Sequence, residues 1–155
     1  MNKASSEFEK LRSEVDQSIG QIITRSGDIA PSTFNQSNNT VQVLFSTGAR
    51  VLRRGMFGDW NEELSLDAGA VNMERLQGGA PLLKNHDSTD ISSVIGVVER
   101  AWIDGEGAKA TVRFSSREEV KPIIEDVKTG ILRQISVGYS IQKWTELPVG
   151  EGEIP

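Results

Sequence analysis

One histidine, His86, and a serine-bearing run, Gln134-Ile135-Ser136-Val137-Gly138-Tyr139, are the residues of this chain best suited to covalent chemistry. A serine hydroxyl is a weak nucleophile at neutral pH and needs a neighbouring base, most often an imidazole. The sequence holds a single histidine, so any histidine-based mechanism passes through His86. In an extended strand around Ser136, successive side chains alternate between faces. Ile135, Val137, Tyr139 and Ile141 then point one way, and Ser136, Gly138 and Ser140 the other. That small-residue face leaves open space beside the serine for an extended substrate. It equally suits the close packing of a helix, and Ser140 on the same face is a rival nucleophile.

His86 stands at the end of an apolar run, within Asn85-His86-Asp87, a setting that also fits an ordinary surface turn. Asp87 is an attractive orienting carboxylate for an imidazole. In an extended segment, however, adjacent side chains point to opposite faces, which places Asp87 badly for that task. Glu99, Glu125 and Asp126 are the other candidate acids, and spacing does not choose among them.

Composition removes several other chemistries. The chain has no cysteine, which excludes disulfides, thiolate metal sites and cysteine nucleophiles. One histidine without cysteine does not make a structural zinc site, and neither a metal nor a cofactor is expected. Phosphate-loop, dinucleotide and Gly-x-Ser-x-Gly motifs are missing, which argues against a nucleotide enzyme or an α/β-hydrolase. Seventeen basic against 22 acidic residues leave a net charge of −5, with no electrostatic reason to bind nucleic acid or an anionic membrane. No apolar run approaches the roughly 20 residues of a membrane span. The N-terminus lacks the apolar core of a secretory signal, so a soluble, intracellular, unsecreted protein is expected. A length of 155 residues suits one domain of ordinary size.

The elements that must position these residues follow from periodicity. Phe8, Leu11, Val15 and Ile19 recur at helical spacing over 5–20, a pattern that continues to Ile22 and Ile23, with Ser6 and Glu9 suited to a capping box and Gly20 to a stop. Residues 26–39 are polar and read as a linker or disordered arm, so 1–39 is expected to be a helix plus linker. This helix could dock a partner or self-associate, and a homo-oligomer is one expectation. Strands are expected at 40–46 and 49–53 with a hairpin at Thr47-Gly48, then a short helix over 67–77 and a strand at 80–84. Two β-rich runs, 93–103 and 108–114, are joined by Asp104-Gly105-Glu106-Gly107, a strong hairpin signal. Val120, Ile123, Ile124 and Val127 form one helix face. A helix start at Ser116 would leave Pro122 inside, whereas a start near Val120 places it in the first turn. Gly130 ends that helix, and a strand returns over 131–143. The sum is an α+β, mainly antiparallel β domain over 40–147 carrying one or two helices, with a tail at 148–155.

Several of these segments in order carry a resemblance. Gly79-Ala80-Pro81-Leu82-Leu83-Lys84-Asn85-His86-Asp87, then Ile95-Gly96-Val97-Val98, then Ala110-Thr111-Val112-Arg113-Phe114-Ser115 resemble the tailed-phage (caudovirus) prohead maturation proteases. The run Asp126-Val127-Lys128-Thr129-Gly130-Ile131-Leu132-Arg133-Gln134-Ile135-Ser136-Val137-Gly138-Tyr139 matches that family most closely, and the similarity spans roughly 40–144. The resemblance implies a serine protease fold related to the herpesvirus assemblins, a closed or nearly closed β-barrel with a few surrounding helices. It implies His86 as general base and Ser136 as nucleophile. It also implies scaffold or capsid-protein substrates, within the immature head in the bacterial host cytoplasm. Family members usually continue past the serine strand, so the third catalytic residue, an acid, is expected beyond Pro155. The competing expectation is a non-enzymatic capsid-assembly, scaffolding or binding module with the same β fold.

Overall fold

The computed structural model describes residues 3–150 together with Ile154 and Pro155. Its elements in chain order are α1 (Lys3–Ser18), β1 (Ile22–Asn35), β2 (Thr40–Ser46), β3 (Val51–Arg54), β4 (Asp59–Glu62), α2 (Met73–Gln77) and β5 (Pro81–Leu83). Then follow β6 (Val94–Asp104), β7 (Gly107–Phe114), α3 (Lys121–Lys128) and β8 (Gln134–Ser140). The chain divides into two compact units. The first comprises the described residues of Met1–Thr24, Ala49–Leu64 and Gly138–Pro155; the second comprises Arg25–Gly48 and Ser65–Val137.

The second unit is organised around a six-stranded sheet in the order β5-β6-β7-β2-β1-β8. Its core is set by two periodicities. Along β7, Ala108, Ala110, Val112 and Phe114 are all buried at every second position. Of these, Ala110, Val112 and Phe114 share one cluster with Val41 and Val43 of β2 and Ala101 of β6. Val120, Ile124 and Val127 recur at helical spacing and are buried in that same cluster, so α3 lies on this face of the sheet. As expected, Pro122 occupies the first turn of α3, where its missing N–H is not needed. Phe114 is only 4% exposed, and Phe114→Ala is expected to cost about 3–5 kcal/mol through lost burial and a cavity. A loss of that size in the unfolding free energy extrapolated from urea titration is the check.

The β6–β7 hairpin forms as Asp104-Gly105 foretold, with Asp104 opposite Gly107 and the Asp104 carboxylate accepting from Glu106 N–H at 2.9 Å. Gly107 has φ +141°, and a Cβ there would lie 2.2 Å from the Ser46 carbonyl oxygen, so only glycine fits.

Four expectations are corrected. Residues 26–39 are not a disordered arm: most of them belong to β1, which pairs antiparallel with β2 through Asp28↔Leu44, Ile29↔Val43 and Ala30↔Gln42. Ile29 and Phe34 pack against the core, which offsets the polar composition, and Pro31 falls where the register slips between Ala30 and Asn35. The Thr47-Gly48 hairpin does not form, because β2 pairs with β1 and β7 while β3 pairs with β4. The first helix runs from Lys3 to Ser18, which leaves Ser6 within it and not at its cap, and Ile22 and Ile23 open β1 instead of continuing the helical pattern.

The fourth correction concerns closure: the sheet is a strongly curled half-barrel and does not close. Closure would require a ladder between the first and last strands of the sheet. The edge strand β5 has only three residues, and the first is Pro81, which has no N–H to donate. The structure is thus mainly antiparallel β with a few helices.

In the first unit, β3 and β4 form a two-stranded ribbon with Arg54 opposite Asp59. The Glu14 carboxylate of α1 caps its turn by accepting from Met56 N–H at 2.8 Å and Phe57 N–H at 3.2 Å. Arg53 grips Glu62 through two nitrogens at 3.0 and 3.3 Å and also donates to the Tyr139 hydroxyl at 2.9 Å. The Tyr139 hydroxyl in turn donates to Glu62. These hydrogen bonds, that to Glu62 foremost, hold the Arg53 guanidinium protonated even more firmly than usual. Gly20, with φ +82°, stops α1 as expected and donates its N–H to the Ile141 carbonyl at 3.0 Å. No described helix is long and apolar enough to cross a membrane.

Candidate active site

Ser136 and His86 both belong to the second unit. Along β8 the expected alternation holds: Ile135 and Val137 are half-buried, while Gln134, Ser136 and Gly138 are exposed. Ile135 packs against the core, which turns the Ser136 hydroxyl to the open face. Ser136 Oγ makes no hydrogen bond among the described residues. Ser140, the rival nucleophile, is half-buried and its Oγ accepts from Gln142 Nε2 at 2.9 Å.

His86 follows directly on β5, in a one-turn 3-10 segment, Lys84–His86. Its side chain is exposed and, among the described residues, makes no hydrogen bond. Both Asn85 and His86 have positive φ, 54° and 55°, and the Asp87 N–H closes the turn onto the Lys84 carbonyl at 3.1 Å. Two positive φ values at the centre of a four-residue turn are the type I′ pattern, for which Asn-Gly is favoured. The second position here carries histidine instead. A non-glycine residue in the left-handed region costs roughly 1–2 kcal/mol, and such outliers concentrate at functional sites.

Asp87 does not orient the imidazole. Its Oδ1 accepts from Thr89 N–H at 2.9 Å and Thr89 Oγ1 at 2.7 Å, and its Oδ2 accepts from Ser93 Oγ at 3.1 Å. The carboxyl is held below its usual range, first by the Thr89 hydroxyl, then by the Thr89 N–H and Ser93. A lowered carboxyl pKa contributes order that is complete above the unfolded value and is lost as pH falls through the folded one. Protection of the Thr89 amide against hydrogen exchange is therefore expected to hold near neutrality and to fade on acidification below about pH 4. Asp87→Asn should remove that pH step; an unchanged step would show that another group controls the turn. Among the other candidate acids, Glu99 pairs with Arg113 and Glu125 with Lys128 at 3.0 Å. None of these carboxylates hydrogen-bonds His86 among the described residues.

The structure places His86 and Ser136 at the two ends of the strand order, His86 after β5 and Ser136 on β8. No hydrogen bond joins them among the described residues. An open cleft of about 520 Å³ is lined by Ile91, Val94, Val97, Phe114 and Arg117 among others, and neither His86 nor Ser136 lines it. No group of three His, Asp or Glu side chains among the described residues could hold a metal ion. Asn85, to which the sequence pattern assigned no role, takes the first of the two left-handed positions in the His86 turn. Its signal was the dipeptide Asn85-His86 standing where a tight turn favours Asn-Gly.

An antiparallel half-barrel bearing an exposed serine and an exposed lone histidine leads to one comparison. The family model described as caudovirus prohead serine protease matches residues 54–148, more than half of the chain, and the chain belongs to that family. A protein of Halomonas phage phiHAP-1 named major capsid protein is 40% identical over 94 residues. The match covers 60% of this chain and 15% of that protein. No solved structure matches.

Proposed function

We propose that this chain is a serine endopeptidase domain that cuts scaffold or capsid-protein segments within the immature phage head. The observation that carries the proposal is the family match, whose span contains both His86 and Ser136. The capsid name of the phiHAP-1 relative supports the capsid setting of the substrate. His86 accepts the Ser136 proton as Oγ attacks a peptide carbonyl carbon, and the carbonyl oxygen takes up the negative charge. Backbone N–H groups near β8 stabilise that oxyanion, a contribution of about 3 kcal/mol per donor. The intermediate collapses, the C–N bond breaks and His86 returns the proton to the leaving amine. Water then repeats the sequence in reverse on the acyl-serine.

The exposure of both side chains suits a polypeptide substrate, and the strained backbone at His86 suits a residue kept for its imidazole. The lack of a His86–Ser136 hydrogen bond in the free protein is compatible with this reading, since catalytic hydrogen bonds are often long or poorly aligned before substrate binds. The test is co-expression of the chain with the capsid and scaffold proteins of its phage. New N-termini, mapped by mass spectrometry, should appear only when the chain is present. Identical termini with and without it would favour the second reading, a capsid-binding module, which the lack of a His86–Ser136 hydrogen bond and the name of the phiHAP-1 relative both suit.

A further inference from the structure

We infer that Asn85 is a positioning residue that aims the His86 imidazole through its left-handed backbone; the inference rests on the Ser136 and His86 reading above. The turn is pinned on both sides. Upstream, β5 is paired to β6 through Leu82↔Gly96 and Leu83↔Val94. Downstream, Asp87 is fixed by its hydrogen bonds to Thr89 and Ser93, and its own N–H is fixed to Lys84. Asn85 and His86 are the two central residues of the turn between these anchors, so their backbone dihedral angles set where the His86 Cβ leaves the chain and from which side the imidazole is presented.

Asn85 has φ 54° and ψ 29°, well inside the left-handed region. Asparagine is among the few side chains that tolerate that region, and glycine is the other common choice. The Asn85 side chain is exposed and makes no hydrogen bond among the described residues. Its contribution is therefore the backbone conformation and not an amide contact. A β-branched residue at 85 would drive φ negative, and with both anchors fixed the adjustment would fall on His86. A misplacement of about 1 Å is enough to lower a catalysed rate by roughly a hundredfold.

The lone histidine makes the test clean, because every imidazole signal in an NMR spectrum belongs to His86. Full-length wild type, Asn85→Gly, Asn85→Val and Ser136→Ala would be compared for labelling by a fluorophosphonate probe and for their imidazole spectra. Asn85→Gly should label within about threefold of wild type, with superposed imidazole signals. Asn85→Val should label about a hundredfold more slowly, with displaced signals and an intact fold. If Asn85→Val does not fold, Asn85→Ala takes its place with a smaller displacement in the same direction. Wild-type labelling by Asn85→Val, or equal losses in the valine and glycine variants, overturns the inference. Wild-type labelling of Ser136→Ala, or no labelling of the wild type, overturns the nucleophile reading instead. In that case superposed imidazole signals in the valine and glycine variants would still refute the positioning role.

Discussion

Replacing Ser136 by alanine is expected to lower substrate cleavage by about 10⁴ to 10⁶-fold, the range seen when a hydrolase loses its nucleophile. Stability should change by no more than about 0.5 kcal/mol, as for surface substitutions that touch nothing. The structural reason is the position of Ser136 on β8. Ile135 and Val137 carry the inward face, whereas Ser136 is exposed and its Oγ has no hydrogen-bond partner among the described residues. Alanine therefore removes the proposed nucleophile without removing a hydrogen bond. Ser140→Ala is the control, because it deletes a hydroxyl on the same strand that accepts from Gln142. Single-turnover cleavage followed by mass spectrometry, with urea unfolding in parallel, separates the two. If Ser140→Ala abolishes cleavage and Ser136→Ala does not, the nucleophile lies two turns of the pleat further along.

How far the sequence could carry this reading depends on whether the deciding interaction is local. Strand β7 and helix α3 were legible because their buried residues are apolar and repeat at the intervals of their own backbones. The face of β8 that bears Ser136 was legible for the same reason. Strand β1 was not, because Arg25, Gly27, Asp28, Ser32 and Thr33 hide a strand whose apolar contribution is only Ile29 and Phe34 near the core. Strand β4, Asp59-Trp60-Asn61-Glu62, shows no alternation at all. Its place comes from the Gly55-to-Gly58 turn and from Arg53 reaching Glu62. Closure of the sheet leaves no local mark, since it depends on the first and last strands meeting. The same holds for the distance between His86 and Ser136, which curl and not sequence spacing sets.

His86→Gly is expected to separate two roles that a structure alone leaves superposed. Cleavage should fall by about 10⁴-fold or more, as for loss of the general base of a hydrolytic pair. Stability should stay equal or rise by up to about 1.5 kcal/mol. The sign follows from the backbone: His86 has φ 55°, the second left-handed position of its turn. Relief of that conformation returns roughly 1–2 kcal/mol, and the greater freedom of glycine in the unfolded chain takes back about 0.5–1 kcal/mol. Nothing else is lost, because the imidazole is exposed and has no hydrogen bond among the described residues. His86→Ala keeps the strain while losing the base, so it should be as inactive as the glycine variant yet less stable. An ordinary turn residue would give the opposite pattern, with unaffected cleavage in either variant. Urea midpoints for the pair, read beside their cleavage rates, therefore decide why a histidine occupies a position that suits glycine better. A His86→Gly protein that still cleaves at the wild-type rate would remove the imidazole from the mechanism.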